Sequence, residues 1–185
     1  MNRTASLLVL CLSAVACSKQ DEMLPVRDAS VPIRINEVFA AGGHKRAADE
    51  RVSSDWLELF NAGTAVPLDE GDWFLTDDRH DLLKFELPAI TLGEEQHLRI
   101  WCDASDGEGI HTSFKLSSKG EWIALVHLKN GRPAIVDSVS FPAQTRRRMS
   151  TSRYPDGAEN WVKASMATPG AANASSAIQN EVAGE

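Results

Sequence analysis

Trp122-Ile123-Ala124-Leu125-Val126-His127-Leu128 is a nearly continuous apolar run that reaches Asn130-Gly131, and Ile135 to Phe141 leads back from it. Asn-Gly suits a two-residue type I′ hairpin turn, because both central residues of that turn need positive φ. The spacing therefore predicts two antiparallel strands. The first is apolar on both faces, which places it centrally in its sheet.

Outward from this hairpin the same grammar repeats at strand spacing. Ile33-Arg34-Ile35-Asn36-Glu37-Val38-Phe39 is one strand, and Trp56-Leu57-Glu58-Leu59-Phe60 is a second, stopped by Asn61-Ala62-Gly63. Trp73-Phe74-Leu75-Thr76 stops at Asp77-Asp78. Leu83, Phe85 and Leu87 alternate with Lys84 and Glu86 before Pro88, the pattern of a half-buried strand. Leu98, Ile100 and Cys102 alternate with His97, Arg99 and Trp101. No stretch holds a helical period over three turns, and 12 glycines and 8 prolines interrupt the chain too often for one. The class is all-β, and at this size a sandwich is favoured over a barrel.

The N-terminus reads differently. Arg3 precedes an apolar run from Leu7 that ends in Ala14-Val15-Ala16-Cys17. The run is too short for a permanent span of roughly 20 residues. It fits the apolar region of a secretory signal, and Ala14-Val15-Ala16 satisfies the small-residue cleavage pattern. Small residues leading directly into Cys17 resemble a bacterial lipobox, with alanine at position 14 where leucine is usual. That resemblance implies cleavage before Cys17 and a diacylglyceryl thioether with a further acyl chain on it. At about 0.8 kcal/mol per buried methylene, several chains give lasting attachment where one gives only marginal binding. Ser18 replaces the aspartate that retains some such proteins at the inner membrane, so the expected place is the outer membrane. With Cys11 removed and Cys17 acylated, Cys102 alone remains of three cysteines and no intrachain disulfide is available. About 150 residues are left for folding, enough for one hydrophobic core. A formal charge of −7 argues against nucleic acid as a partner.

The expected organisation is a signal peptide over 1–16 and a lipidated, polar tether over 17–31. A folded domain follows over 32–173, with a frayed tail over 174–185. Residues 40–53, rich in Ala, Gly and charge, read as a loop.

The order of short motifs matches a known module. Ile35-Asn36-Glu37-Val38, Asp55-Trp56-Leu57-Glu58-Leu59-Phe60-Asn61 and Gly71-Asp72-Trp73-Phe74-Leu75-Thr76-Asp77-Asp78 come first. His111-Thr112-Ser113-Phe114-Lys115-Leu116-Ser117, Gly120-Glu121-Trp122-Ile123-Ala124-Leu125 and Val136-Asp137-Ser138-Val139 follow. Arg153-Tyr154-Pro155-Asp156-Gly157, Trp161 and Thr168-Pro169-Gly170-Ala171-Ala172-Asn173 close the series. Together they resemble the lamin tail domain, an immunoglobulin-like β-sandwich. The resemblance covers roughly residues 31–173 and implies a binding or scaffolding module. Two features depart from it: the long loop over 40–53 and the basic Arg146-Arg147-Arg148.

Several residues are candidates for chemistry. On alternating strands Glu37 is expected to share a face with Ile35 and Phe39, and Glu58 with Trp56 and Phe60. A carboxylate on an apolar face needs hydrogen bonds, an ion partner or a metal. Backbone N–H groups or an arginine are the favoured partners. The metal alternative is calcium held by Glu37 and Glu58 with Asp55, Asp77 or Asp78. Asp103-Ala104-Ser105-Asp106-Gly107-Glu108-Gly109 reads as a solvated turn, because Gly107 stands where a calcium loop needs an oxygen. The five histidines show no zinc spacing, and His111 is expected to order a loop. No nucleophile elbow or phosphate loop is present. Cys102 is expected to be a buried thiol. Trp101 and Arg99 form the candidate surface anchor, since aromatics and arginine concentrate at binding hot spots.

The function these readings support is a lipid-anchored envelope module without catalysis or cofactor, held to the membrane through Cys17 and binding a protein or polysaccharide. The alternatives are a calcium-binding adhesin or metal-dependent enzyme built on Glu37 and Glu58, and an accessory subunit of a separate exported hydrolase.

Overall fold

The computed structural model describes residues 26–28, 30–40, 54–144 and 149–174. The expected signal, Cys17, residues 41–53, Arg146-Arg147-Arg148 and the tail from 175 lie outside the described residues.

The described chain is all-β, as expected. In order its strands are β1 (Val26–Arg27), β2 (Ile33–Phe39), β3 (Trp56–Asn61), β4 (Val66–Leu68) and β5 (Trp73–Thr76). Then come β6 (Phe85–Glu86), β7 (Ile90–Leu92), β8 (His97–Trp101) and β9 (Gly120–Lys129). The last are β10 (Arg132–Pro142), β11 (Ser150–Arg153) and β12 (Trp161–Ala164). One five-stranded sheet runs β1-β10-β9-β5-β6, a second runs β12-β11-β2-β3-β8, and β4 pairs with β7 apart from both. All pairings are antiparallel except that of β1 with β10.

Ile33, Ile35, Val38, Leu57, Leu59 and Ile100 from the second sheet meet Trp73, Leu75, Ile123, Leu125, Val136 and Phe141 from the first in one buried core. The result is a β-sandwich. Each fully buried Leu or Ile contributes about 1.5–3 kcal/mol of apolar transfer, and Cys102 lies in this core as a free thiol. Burial pushes that thiol far above its ordinary range.

The β9–β10 hairpin turns at Asn130 and Gly131, both with positive φ (53° and 73°), as the Asn-Gly pair demands. β9 is flanked by β10 and β5, so its central place is as read.

Three expectations need correction. The described end of the expected tether is docked, because Val26 and Arg27 pair in parallel with Ala134 and Ile135. The strand expected from Leu83 to Leu87 shrinks to Phe85–Glu86, and Leu83 is 42% exposed. Its alternation was real, but β5 offers only Phe74 and Leu75 as pairing partners. Glu37 does not share a face with Ile35. The register slips by one between Ile35 and Glu37, leaving Asn36 as a bulge residue. The slip inverts the alternation, so Ile35 and Val38 both enter the core while Glu37 stands opposite Glu58 on the outer face.

A second slip lies in β10 between Ile135 and Asp137. The two irregularities are joined across the sandwich. Asp137 Oδ2 accepts the Ile35 amide (2.8 Å), and Arg153 Nε donates to the Ile35 carbonyl (2.9 Å). Arg153 Nη2 donates to both oxygens of Asp137 at 3.0 Å, and Nη1 donates to the Ala158 carbonyl. Arg153 and Asp137 are each 1% exposed. Backbone groups released by a bulge must find partners in a dry interior, and this ion pair supplies them.

Candidate functional site

The outer face of the second sheet concentrates the polar side chains singled out in the sequence. The β2–β3–β8 register sets Glu37 opposite Glu58, and Glu58 opposite Arg99. Trp56 lies opposite Trp101, and Phe60 opposite His97, on the same face. Glu58 therefore shares its face with Trp56 and Phe60, as alternation required.

Residues Thr168 to Asn173 form a strap across this face. The Thr168 amide donates to both oxygens of Glu37 (3.2 and 3.1 Å), and its hydroxyl donates to Oε2 (3.2 Å). Ser150 Oγ donates to Glu37 Oε1 at 2.5 Å. The Gly170 amide donates to Glu58 Oε2 at 2.5 Å. Asn173 closes the strap, with its amide on Asp156 Oδ1 (3.0 Å) and its Nδ2 on the carbonyls of Arg153 (2.8 Å) and Asn36 (3.4 Å). The bulge residue Asn36 completes the network, donating to Asp156 Oδ1 (3.1 Å) and accepting the Gly157 amide (3.0 Å). Gly157 has φ of 68°, a conformation open to glycine that aims its N–H at Asn36.

Glu37 and Glu58 are both fully buried. Burial raises both, and for Glu58 the carboxyl is pushed up to about 8, with the Gly170 N–H opposing and the charges of Glu37 and Asp156 adding to the rise. Glu58 Oε1 is buried without a hydrogen-bond partner. Asp156 Oδ2 stands 3.0 Å from His97 Nε2.

The carboxylates expected to complete a calcium site are elsewhere. Asp77 pairs with Lys84 at 2.6 Å, Asp78 caps the His80 amide at 2.9 Å, and Asp55 and Asp77 act on Glu121. Sequence proximity to a strand end did not bring them to the β2–β3 face. Among the described residues no group of three or more His, Cys, Asp or Glu is placed to hold a metal ion.

The surface candidates do meet. The Arg99 guanidinium lies 4.4 Å above the half-buried Trp101 ring, and Arg99 itself is exposed. Trp101 stacks in turn on His111, with centroids 6.3 Å apart. His111 orders its loop as expected, bonding Asp103 Oδ1 (2.9 Å), Ser105 Oγ (3.2 Å) and the Glu108 carbonyl (3.3 Å). Burial works to raise Asp103, but hydrogen bonds from His111 and Ser105 outweigh it and hold the carboxyl below the usual range. β8 is the edge strand of its sheet, and on its outer side Trp101 bridges to His111.

Among the described residues, clefts open at two places on the sandwich. One, of about 560 Å³, lies between Phe85–Ala89 and Gly109–His111 with Glu70 on its rim. The other, of about 390 Å³, lies between Ser138–Pro142 and Trp161–Lys163.

The Arg153–Asp137 pair and the closure of Asp156 and Asn173 over Glu37 and Glu58 were not read as a site from sequence. The signal was present in the motifs containing Asp137, Arg153, Asp156 and Asn173, but their mutual contacts span 16 to 20 residues, beyond the reach of strand alternation. Comparison with protein-family models, curated proteins and solved structures gives no match to this chain.

Proposed function

We propose that this chain is an exported binding or scaffolding module of the lamin tail type, held at the outer membrane by acyl chains on Cys17 and without catalytic activity of its own. The observation that carries the reading is the Arg99–Trp101 stack on an edge strand. It presents an aromatic and a guanidinium already ordered for contact, which lowers the entropy cost of binding. Glu37 and Glu58, which alternation marked for chemistry, spend their hydrogen bonds on the chain's own strap. The immunoglobulin-like form of the sandwich and the lipid anchor belong to the same proposal, resting on the motif order and on Ala14-Val15-Ala16-Cys17.

The test is quantitative affinity capture of a protein or polysaccharide from detergent-solubilised envelope, using the acylated full chain. Arg99→Ala with Trp101→Ala is expected to reduce recovery of the specific partner at least tenfold, while Cys17→Ser releases the chain from membranes. Capture unchanged by the double substitution would remove Arg99 and Trp101 from the reading. Membrane retention and acylation of Cys17→Ser would remove the anchor, and substrate turnover by the purified chain would end the non-catalytic claim. An exported hydrolase as the captured partner would make the chain its accessory subunit.

A further inference from the structure

The strap covers two carboxyls and brings them no cation. Glu37 and Glu58 stand directly across β2 and β3, both fully buried. The charged groups packed around Glu58 have other engagements. Arg99, its neighbour on β8, lies over Trp101, and His97 bonds Asp156 in the β11–β12 turn. Arg34, on β2, donates to the carbonyls of Val31 and Ile33. Arg153, on β11, is committed to Asp137. Asp156 adds a further negative charge. Two buried carboxyls in this arrangement do not both ionise near neutrality, so the pair retains a proton.

The strap itself has little apolar anchorage. Pro169, Gly170, Ala171 and Ala172 are exposed, and only Asn173 is buried. Its attachment is the set of hydrogen bonds to Glu37, Glu58, Asp156 and the backbone of Asn36 and Arg153. Segments with few buried apolar contacts open locally at a small fraction of the global stability. Opening this one admits water to Glu58 Oε1, which among the described residues is the buried carboxyl oxygen without a hydrogen-bond partner.

We propose that the strap Thr168–Asn173 is a proton-operated latch: it stays seated over β2 and β3 while the Glu37–Glu58 pair holds a proton, and it lifts when that proton leaves. The linkage has one sign. The Gly170 and Thr168 donors of the strap favour the ionised carboxyls, but burial outweighs them, so the seated state binds more protons than the lifted state and rising pH favours lifting. Burial pushes Glu58 up to about 8, so the opening constant climbs with pH up to about 8 and levels off above it. What lifting uncovers is the polar outer face that ends in Arg99.

Hydrogen exchange of the strap in the full chain, read by mass spectrometry and corrected for the intrinsic pH dependence of exchange, tests this. Between pH 6.5 and pH 9 the opening constant of residues 168–173 is expected to rise at least tenfold. In Glu58→Gln, which keeps the shape and cannot ionise, it is expected to stay constant. A wild-type strap with no pH response overturns the proposal. So does an equal response in Glu58→Gln, or an opening free energy of residues 168–173 equal to that of Leu57 and Leu59 at every pH, which would mean that the strap opens only with the whole domain. Should Glu58→Gln fail to fold, the carbon-13 carboxyl titration of Glu58 in the wild-type chain decides: a midpoint above about 7 supports the latch, and any lower midpoint overturns it.

Discussion

Replacing Arg153 by methionine probes the tie between the two bulges. The substitution keeps most of the aliphatic volume beneath Trp161, over which the guanidinium now lies at 4.6 Å, and removes the charge. Three acceptors then lose their donor: the Asp137 carboxylate, the Ile35 carbonyl and the Ala158 carbonyl. Asp137 keeps the Ile35 amide alone among the bonds described, at 1% exposure. Breaking a buried pair from one side costs about 3–5 kcal/mol, because an uncompensated charge stays behind. Against a total stability of about 5–15 kcal/mol for a folded domain, that is a large share. The assay is urea unfolding followed by tryptophan fluorescence, with five tryptophans as probes. Arg153→Met is expected to lose about 3–5 kcal/mol. The double variant Arg153→Met/Asp137→Leu is expected to recover part of it, because no charge is stranded, though the Ile35 amide and carbonyl stay short of partners. A single variant that loses less than about 1 kcal/mol would refute the reasoning, as would a double variant no more stable than the single.

Global stability should also follow Glu58. A carboxyl titrating at about 8 when folded and 4.5 when unfolded contributes stability that is full below pH 4.5 and lost as pH rises through about 8. At 1.36 kcal/mol per pH unit the wild-type chain is expected to lose about 3 kcal/mol between pH 5 and pH 8, and Glu58→Gln in urea titrations at both pH values is expected to lack that decline; equal slopes would count against it. Cys102, fully buried and pushed far above the ordinary thiol range, is expected to resist a thiol reagent in the native chain and to react on unfolding, so rapid native labelling would place it wrongly.

Much of the fold was legible because strands write themselves locally. A two-residue period, a stop at Asn61-Ala62-Gly63 and an Asn130-Gly131 turn depend on neighbours within a few positions, and the reading placed β2, β3, β5, β8, β9 and β10 within a few residues of their observed bounds. The short strands β1, β4, β7, β11 and β12 were not assigned, since two to four residues carry too little periodicity to stand above irregular chain. The bulge at Asn36 was also hidden, and one residue of slip was enough to move Glu37 to the other face.

Local pattern was enough to make the described chain all-β, to bury Cys102, and to require polar partners for Glu37 and Glu58 within a half-apolar face. The identity of those partners comes from how the sandwich closes. Ile35 finds Asp137 102 positions away, and Glu37 finds Thr168 131 positions away. Alternation fixes which way a side chain points, and it is a property of adjacent residues. The donor that meets a buried carboxylate is fixed by how distant segments close over the sheet, and no local pattern carries that information.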